Sequence, residues 1–453
     1  MNRYKLRAKY DIENISYQKT DDQMIVDVPL LNSEKLRYGL QHIKNKLWQD
    51  GIFPTELGFD IMVLSTMVYM ADTRISRVEH GQDSWTREIA IELPVNDVEL
   101  WKPQIPLVER MLKFLTGDIW RLDVVERTYT FESKDIVCPR TSKYDRASLF
   151  SGGMDSLIST INFMEEEKNT LLISHAGDGF TKNAQSNILN CFNQIYPNIL
   201  HNRMDLWMVF PNCYIQEGGN DNNTRSRSFL FIGFGLFVLT GVDNIKELLV
   251  PENGLIALNV PLDVTRVGSF STRTTHPFYL GLWNELLTNL GLDMKVNNPY
   301  WNKTKGEMAL DCKNKDVLFQ TMKLSCSCSS PGKARWIGLG QQHCGYCVPC
   351  IIRRAAMHKA FKSDSTVYTV TSIAEMQRKS YLGMGVQLRS FQYAIDKIKN
   401  NPSAAKLYIH KTGPLKQDEK YLYELSETYK RGLLEVDTFI KDSLAQEGEK
   451  HDL

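Results

Sequence analysis

The chain has 453 residues, of which 42% are hydrophobic and 24% charged, a composition typical of a globular protein and unlike that of a disordered or collagen-like chain. Its length corresponds to roughly two or three domains of ~150 residues. Lys and Arg number 54 and Asp and Glu 53, giving a net charge of +1. Stable binding of a long nucleic acid needs a clustered surplus of basic residues, so this balance argues against it.

The N-terminus and the longest uncharged run both argue against export or membrane insertion. Residues 1–16 are charged throughout and lack the apolar core of a secretory signal. The uncharged run at residues 228–242 is shorter than the ~20 residues of a membrane span. It contains three glycines, and we expect it to form a buried helix. We therefore expect a cytoplasmic protein that makes no contact with a membrane.

Residues 1–145 are expected to form an N-terminal α+β domain that contacts partner proteins. Apolar and polar residues alternate at 24–31 and 87–95, the period of a half-buried strand, and residues 120–134 are also strand-like. Between the first two, residues 58–77 space apolar side chains as a helix with a broad apolar face does. This part of the chain carries no recognisable chemical motif.

Residues 146–360 show short apolar runs that alternate with helical stretches. The runs at 147–150, 170–174, 206–210 and 247–251 are typical of central parallel strands. Alternation of this kind predicts an α/β domain with a doubly wound parallel sheet. Residues 361–453 are polar and helix-prone, and we expect them to form a helical C-terminal appendage.

The most informative motif lies directly after the strand-like run at 147–150 and directly before a helical stretch. It consists of Ser151, Gly152, Gly153, Met154, Asp155 and Ser156. Paired glycines allow a sharp turn that brings backbone N–H groups to phosphate oxygens, and the following helix adds its positive N-terminal end. Asp155 suits this setting if it holds Mg²⁺ or orients the loop. A glycine turn with a serine cap is the simpler alternative.

The spacing of this motif differs from the Walker A loop and from the dinucleotide fingerprint. It resembles the PP-loop of the N-type ATP pyrophosphatases, Ser-Gly-Gly-x-Asp-Ser. That resemblance implies a fold of the PP-loop (HUP-like) type. It also implies cleavage of ATP between its α and β phosphates, with AMP transferred to an oxygen of the substrate.

A cysteine cluster follows at residues 326–354. Cys328, Cys344, Cys347 and Cys350 supply four sulfurs at a spacing that suits a structural Zn²⁺ knuckle. Cys326 is the alternative first ligand. An iron–sulfur cluster or a redox-active cysteine pair would also use such spacing. We favour zinc because Zn²⁺ is the usual occupant of such a four-cysteine site.

The phosphate loop, this cysteine knuckle and the following Ile351-Ile352-Arg353-Arg354 together resemble the 7-cyano-7-deazaguanine synthase (QueC) family. Two further segments, one containing Arg225 and Arg227 and one beginning at Lys305, resemble parts of the same family. The resemblance covers residues 145–356, under half of the chain. It implies an enzyme that adenylates 7-carboxy-7-deazaguanine, adds ammonia and dehydrates the amide to a nitrile.

Two features depart from the simple members of that family. Long segments flank the core, and residues 251–261 and 271–277 replace the usual substrate loop. This arrangement resembles the QueC-like proteins of bacterial anti-phage operons, most closely the QatC branch. For that branch the resemblance implies coupling of the activated deazaguanine to the N-terminal amine of a partner protein encoded in the same operon. The alternatives are a free-nitrile synthase, a tRNA thiolation enzyme and a nucleotide-binding scaffold without turnover.

These expectations assign candidate roles to individual residues. ATP, Mg²⁺ and Zn²⁺ are the expected cofactors, Asp155, Lys182 and Arg227 the catalytic candidates, and Arg225 a further ATP contact. Surface pairing of Arg225 and Arg227 with Asp221 is the alternative. The candidate substrate-binding residues are Glu252, Asn253, Asn259, Arg266, Arg273 and Lys305, although asparagines flanked by Gly and Pro often only build turns. His276 has either a structural or an acid–base role.

Overall fold

The computed structural model describes residues 3–131, 142–212, 214–215, 219–221, 224–263 and 273–449. Within these ranges the chain forms two parallel or mostly parallel sheets of five strands each, and helices cover about half of it. Mixed α/β architecture with a parallel sheet is therefore confirmed. No helix in the described ranges is long and apolar enough to cross a membrane.

The described residues of the N-terminal part, 3–131, form seven strands and five α-helices. They are β1 (Arg3–Lys9), β2 (Ser16–Lys19), β3 (Gln23–Pro29), β4 (Leu31–Asn32), β5 (Lys35–Leu36), α1 (Leu40–Gln49), α2 (Glu56–Arg74), α3 (Arg77–His80), β6 (Glu88–Val95), α4 (Val98–Trp101), α5 (Ile105–Thr116) and β7 (Ile119–Glu126). Its sheet has the order β2-β3-β1-β6-β7. Within this sheet only the pairing of β2 with β3 is antiparallel, and β4 and β5 form a separate antiparallel pair. Because α2 and α5 serve as crossovers between parallel strands, this part differs from the segregated α+β arrangement that we expected.

The central part alternates strands and helices, as expected from its sequence. Its elements are β8 (Arg146–Leu149), α6 (Met154–Glu165), β9 (Thr170–His175), α7 (Gly179–Ile195), β10 (His201–Leu206), α8 (Arg227–Leu239), β11 (Glu247–Leu249), α9 (Gly254–Leu258), α10 (Pro277–Asn289), β12 (Lys295–Asn297), α11 (Lys305–Leu310) and α12 (Lys315–Thr321). The sheet is parallel throughout, with the order β10-β9-β8-β11-β12. This order reverses direction between β8 and β11, which places a topological switch point there.

Both faces of this sheet are covered. Along β9, Leu171 and Ile173 belong to one apolar core, whereas Leu172 belongs to a second core on the opposite face. The predicted buried helix is α8, whose residues from Ser228 to Leu239 are all buried. Successive side chains of a strand point to opposite faces, so a strand covered on both sides reads as a continuous apolar run.

The strand expected at residues 206–210 instead occupies β10 and ends at Leu206. β10 is an edge strand, and its sequence HNRMDL buries only Met204 and Leu206. In the apolar stretch that follows, Met208 is buried while Trp207 and Val209 are exposed. The apolar run therefore placed the predicted strand several residues too late in the chain. The true strand is less apolar because an edge strand does not need to be apolar throughout.

One continuous apolar core joins the N-terminal sheet to the central sheet through α2 and α8. A Cβ atom at Gly233 of α8 would lie 1.9 Å from the Oγ atom of Ser65 in α2. The two helices therefore approach closely at a position that only glycine allows. Residues on both sides of position 145 contribute to this core.

The C-terminal part is helical, as expected. It consists of α14 (Ile373–Arg378), α15 (Gly383–Asn400), α16 (Ala405–Tyr408) and α17 (Glu419–Glu449), and α13 (Val348–Phe361) leads into it from the cysteine cluster. Short 3-10 helices occur in all three parts of the chain, at Lys102–Gln104, Met322–Leu324, Pro331–Ile337, Pro402–Ala404 and Ile409–Lys411. The long helix α17 contacts α9, α13 and α15, so this part of the chain packs back onto the central part.

Candidate active site and metal centre

The glycine–serine loop lies at the switch point of the central sheet. It begins two residues after β8 and ends in the first turn of α6, in the strand–loop–helix context that the motif predicts. Gly152 has a φ angle of 79°, and a Cβ atom there would lie 2.9 Å from Cγ of Gln185. Glycine is therefore required at this position for both backbone conformation and space.

Hydroxyl groups surround the start of α6. The N–H of Gly153 donates to Oγ of Ser151 at 3.2 Å, and the Oγ atoms of Ser151 and Ser156 lie 3.2 Å apart. Ser156 also donates to the carbonyl oxygen of Gly153 at 3.0 Å. Hydroxyl donors and the N-terminal end of a helix together form a site that favours an anion such as phosphate.

Asp155 forms the centre of a buried group that combines three predicted site residues from distant segments. Its Oδ1 atom lies 2.7 Å from Nζ of Lys305, at the start of α11. Its Oδ2 atom accepts hydrogen bonds from the backbone N–H and the side-chain amide of Asn253, at 3.1 and 2.8 Å. The same amide donates to Oε1 of Glu252 at 3.1 Å. Protein groups therefore contact both carboxylate oxygens of Asp155.

The pKa values of the two carboxyl groups in this cluster are shifted in opposite directions. Burial alone would raise the pKa of Asp155, but Lys305 and hydrogen bonds from Glu252 and Asn253 bring that pKa below its usual value. Burial and the neighbouring Asp155 carboxylate raise the pKa of Glu252 well above its usual value. The two pKa values are thus shifted in opposite directions, so Asp155 is the carboxyl group of this pair that ionises more readily.

The end of the adjacent strand β9 presents a second set of polar groups. Arg227 donates from Nη2 to the carbonyl oxygen of His175 at 3.3 Å, and its Nε lies 3.4 Å from Nδ1 of that histidine. Burial, followed by the charge of Arg227, lowers the pKa of His175 to about 3. Lys182 is exposed, with Nζ 5.2 Å from the centre of the Trp207 ring. Arg227 and Lys182 therefore lie beyond the carboxyl ends of the strands, on the same side of the sheet as the glycine–serine loop.

The four predicted metal ligands converge. The sulfur atoms of Cys328, Cys344, Cys347 and Cys350 all lie within 4.8 Å of one another. Two of these separations, from Cys328 to Cys347 and from Cys344 to Cys350, are 3.9 Å. Four sulfurs at about 2.3 Å from a tetrahedral zinc ion would be roughly 3.8 Å apart. The group can therefore hold a metal ion such as zinc, and all four positions are filled by cysteine.

Cys326 is not part of this group, which settles the choice of the first ligand in favour of Cys328. The backbone N–H of Cys326 instead donates to the carbonyl oxygen of Gly152 at 2.8 Å. Gly345, with a φ angle of 87°, forms the tight turn of the knuckle. A Cβ atom there would lie 2.1 Å from the carbonyl oxygen of Val370.

A short segment connects the cysteine cluster to the glycine–serine loop. Oγ of Ser327 accepts from the N–H of Met154, the first residue of α6, at 3.2 Å. Arg353, which is fully buried, donates to Oγ of Ser327 at 3.3 Å and to Oγ of Ser325 at 2.8 Å. Sequence reasoning missed Ser327 and Arg353 as site residues. The available signals were the position of Ser327 between two cysteines and the place of Arg353 in the Ile351–Arg354 run that follows the last ligand.

The remaining predicted residues are more scattered. Arg225 donates to the carbonyl oxygen of Thr116 at 2.7 Å and lies over the Trp85 ring, so it contacts the N-terminal part of the chain. Asn259 and Arg273 line a separate cavity. Arg266 lies outside the described residues. Asn253 and Asn259 also build turns, since Asn253 caps the start of α9 and Asn259 ends that helix in the left-handed conformation.

His276 has a structural position. It is fully buried, and its Nδ1 atom accepts from the N–H of Phe278 at the start of α10. Burial, followed by the charge of Arg273, lowers the pKa of His276 to about 3. A neutral imidazole that caps a helix accounts for this residue without an acid–base role.

Comparison with known proteins does not assign the chain to a family. A scan against protein-family models finds no match. A search of curated proteins also finds none.

Proposed function

We propose that the chain uses ATP to adenylate a 7-deazaguanine carboxylate and then couples the activated carboxylate to an amine. The observation that carries this proposal is the glycine–serine loop at the sheet's switch point, with the buried ion pair between Asp155 in the first turn of α6 and Lys305 at the start of α11. In open α/β sheets, ligands bind at this point, beyond the carboxyl ends of the strands. The sequence Ser-Gly-Gly-x-Asp-Ser resembles a PP-loop, which favours a nucleotide pyrophosphate as the ligand.

The proposed reaction has two steps. In the first, an oxygen of the substrate carboxylate attacks the α-phosphorus of ATP-Mg²⁺, and pyrophosphate leaves. In the second, an amine nitrogen attacks the acyl carbon, AMP leaves, and the nitrogen loses a proton. Positioning and charge neutralisation supply the catalysis, and the protein provides no covalent nucleophile. The loop from Ser151 to Ser156 holds the phosphates, and Arg227 and Lys182 supply positive charge beyond the same carboxyl ends of the strands.

The acceptor amine distinguishes two versions of this function. In the favoured version it is the N-terminal amine of a partner protein encoded in the same anti-phage defence operon, as the resemblance to the QatC branch implies. The long segments outside residues 146–360 support this version, because the simple members of the resembled family consist of little beyond such a core. In the second version the amine is ammonia, which gives a free amide. A second ATP then activates the amide oxygen, and loss of that oxygen with AMP and of the two nitrogen-bound protons gives the free nitrile.

The first experiment measures pyrophosphate release by the full chain from ATP-Mg²⁺ and 7-carboxy-7-deazaguanine. We expect Asp155→Asn to reduce the rate by about a hundredfold or more, since the buried pair orients the loop. Asp316→Asn is the matched control, because Asp316 also lies in the first turn of a helix, α12, but is exposed. ATP binding and the melting temperature of each variant show whether the fold is intact. Unchanged release by Asp155→Asn would show that the buried pair has no part in the reaction, whereas ATP binding without any release by the unaltered chain would favour the scaffold hypothesis.

A second experiment identifies the acceptor. The chain is co-expressed with its operon partners, and their intact masses are measured. An adduct of deazaguanine size on a partner supports the conjugation version, whereas free nitrile without any adduct supports the ammonia version. Thiolated bases in co-purified RNA would instead indicate tRNA thiolation.

A further inference from the structure

A cavity of about 320 Å³ lies where three parts of the chain meet. One wall comes from α9 and the residues after it, and a second comes from the cysteine knuckle. The third wall comes from the C-terminal region, including Gln387 and Phe391 of α15 and Lys411. A cavity of this size is at the small end of the range for ligand sites, roughly 300–1,000 Å³. It therefore suits a small molecule and is too small for a folded polypeptide.

Apart from Cys347 of the four-cysteine group, the charged side chains around this cavity are basic. Arg273, Lys333 and Lys411 line it, and the described lining residues include no Asp or Glu. Burial lowers the pKa of Arg273 only to about 10, so this side chain stays charged at neutral pH. Such a site attracts an anion and disfavours the positively charged N-terminal amine of a peptide.

The rest of the lining is largely apolar. Val260, Ile352 and the fully buried Phe391 contribute hydrocarbon and aromatic surface. Few convergent polar groups on a mostly apolar surface are typical of sites for small organic molecules. The combination fits a flat, apolar-faced molecule that bears an anionic group.

Two connections join the cavity to the glycine–serine loop. Asn253, which contacts Asp155, caps the start of α9, and Asn259 at the end of the same helix lines the cavity. At about 1.5 Å per residue, these two asparagines lie roughly 9 Å apart along the helix. On the other side, Ser327 contacts the first residue of α6, and Ser329 lines the cavity.

The C-terminal wall is attached to α9 rather than merely adjacent to it. Oγ1 of the buried Thr412 donates to the carbonyl oxygen of Leu258, the last residue of α9, at 2.7 Å. This hydrogen bond fixes the backbone position next to Lys411. The C-terminal region is thus built into the cavity.

We infer that this cavity binds the carboxylate substrate, a planar heteroaromatic acid of purine-like size, and that Lys333, Gln387 and Lys411 determine its specificity. The inference rests on the proposed function and deepens it. The part of the chain after residue 360 then contributes to substrate selection in addition to any role in partner binding.

The test is calorimetric titration of the full chain with 7-carboxy-7-deazaguanine and, separately, with 7-deazaguanine, which lacks the carboxylate. Lys333 and Lys411 are exposed, so charge reversal is compatible with folding. We expect Lys333→Glu and Lys411→Glu each to weaken binding of the acid by about tenfold. ATP affinity is expected to remain unchanged. Lys315→Glu, an exposed position in the first turn of α12 outside the cavity, is the matched control.

The possible outcomes separate the two proposals. If the acid binds but neither charge reversal weakens it, the cavity assignment is wrong while the proposed function stands. If the charge reversals weaken the acid and 7-deazaguanine equally, the cavity does not recognise the carboxylate and the assignment is also wrong. If the unaltered chain binds ATP but neither binds the acid nor releases pyrophosphate with it, both proposals fail.

Discussion

The Nζ atom of Lys305 lies 2.7 Å from the Oδ1 atom of Asp155, and both side chains are only 6% exposed. This ion pair joins the first turn of α6, which follows the glycine–serine loop, to the start of α11. Removing only one partner of a buried ion pair destabilises a folded protein strongly, because the remaining charge is then buried without compensation.

The first prediction follows from that asymmetry. Lys305→Met and Asp155→Asn are each expected to lower the free energy of unfolding by about 3–5 kcal/mol. The double variant is expected to be more stable than the sum of the single effects predicts. Urea denaturation of all four proteins measures this coupling. Additive effects would show that the two residues do not interact as the structure indicates.

The second prediction concerns the metal. We expect about one zinc ion per chain in elemental analysis of the purified protein. Cys347→Ser is expected to abolish zinc binding and cause misfolding, since structural zinc contributes about 10 kcal/mol or more to folding. Cys326→Ser is the control, because Cys326 lies outside the group of four sulfurs. Iron in place of zinc, or loss of metal in Cys326→Ser, would contradict the assignment.

The third prediction separates backbone strain from steric space in the glycine–serine loop. Gly152→Ala is expected to abolish ATP binding, because a Cβ atom would meet Gln185. Gly291 has a similar φ angle of 70°, but nothing lies within 4 Å of an added Cβ. Gly291→Ala should therefore cost only about 1 kcal/mol of stability and leave ATP binding intact. Equal ATP affinity in both variants would show that the loop does not hold the nucleotide.

The fourth prediction concerns the segment between the metal and the loop. Ser327→Ala removes the acceptor for the N–H of Met154 and is expected to cost about 1 kcal/mol of stability and to weaken ATP binding. Ser327→Thr retains the hydroxyl and should restore both properties. Denaturation and ATP titration provide the measurements. If alanine and threonine behave alike, the hydroxyl has no part in shaping the loop.

The fifth prediction concerns pH. The pKa values of His175 and His276 are lowered to about 3 in the folded chain, so only the unfolded chain takes up protons near pH ~6.5. Their contribution to stability is complete above pH ~6.5 and is lost as the pH falls toward ~3. Between about pH 6.5 and 5, each histidine is expected to lower the free energy of unfolding by about 2 kcal/mol. Denaturation at both pH values tests this.

His276→Asn provides the control for that prediction. Asparagine retains a cap for α10 but does not titrate, so the variant should lose about half of the pH dependence that the two histidines produce. An unchanged pH dependence would show that His276 is not neutral and buried in the folded chain.

Short sequence patterns were sufficient to predict much of the secondary structure of the central part. Short apolar runs and a glycine–serine motif between strand and helix identified the parallel sheet and the loop, because strands covered on both faces must be apolar throughout. Cysteine spacing identified the four sulfurs that converge. The position of the edge strand β10 was predicted wrongly because the strand has no continuous apolar run. Only two of its six residues, Met204 and Leu206, are buried.

Tertiary structure alone decided which residues meet. Asp155, Glu252, Asn253 and Lys305 come from separate positions in the chain, and no local pattern shows that the first and last form a buried ion pair. The same holds for Arg225, which contacts the N-terminal part, and for Lys411, which reaches a cavity beside α9. Amino-acid order determines which chemical groups are available and which segments form strands or helices. Distances between such groups depend on the packing of elements that are far apart in the chain.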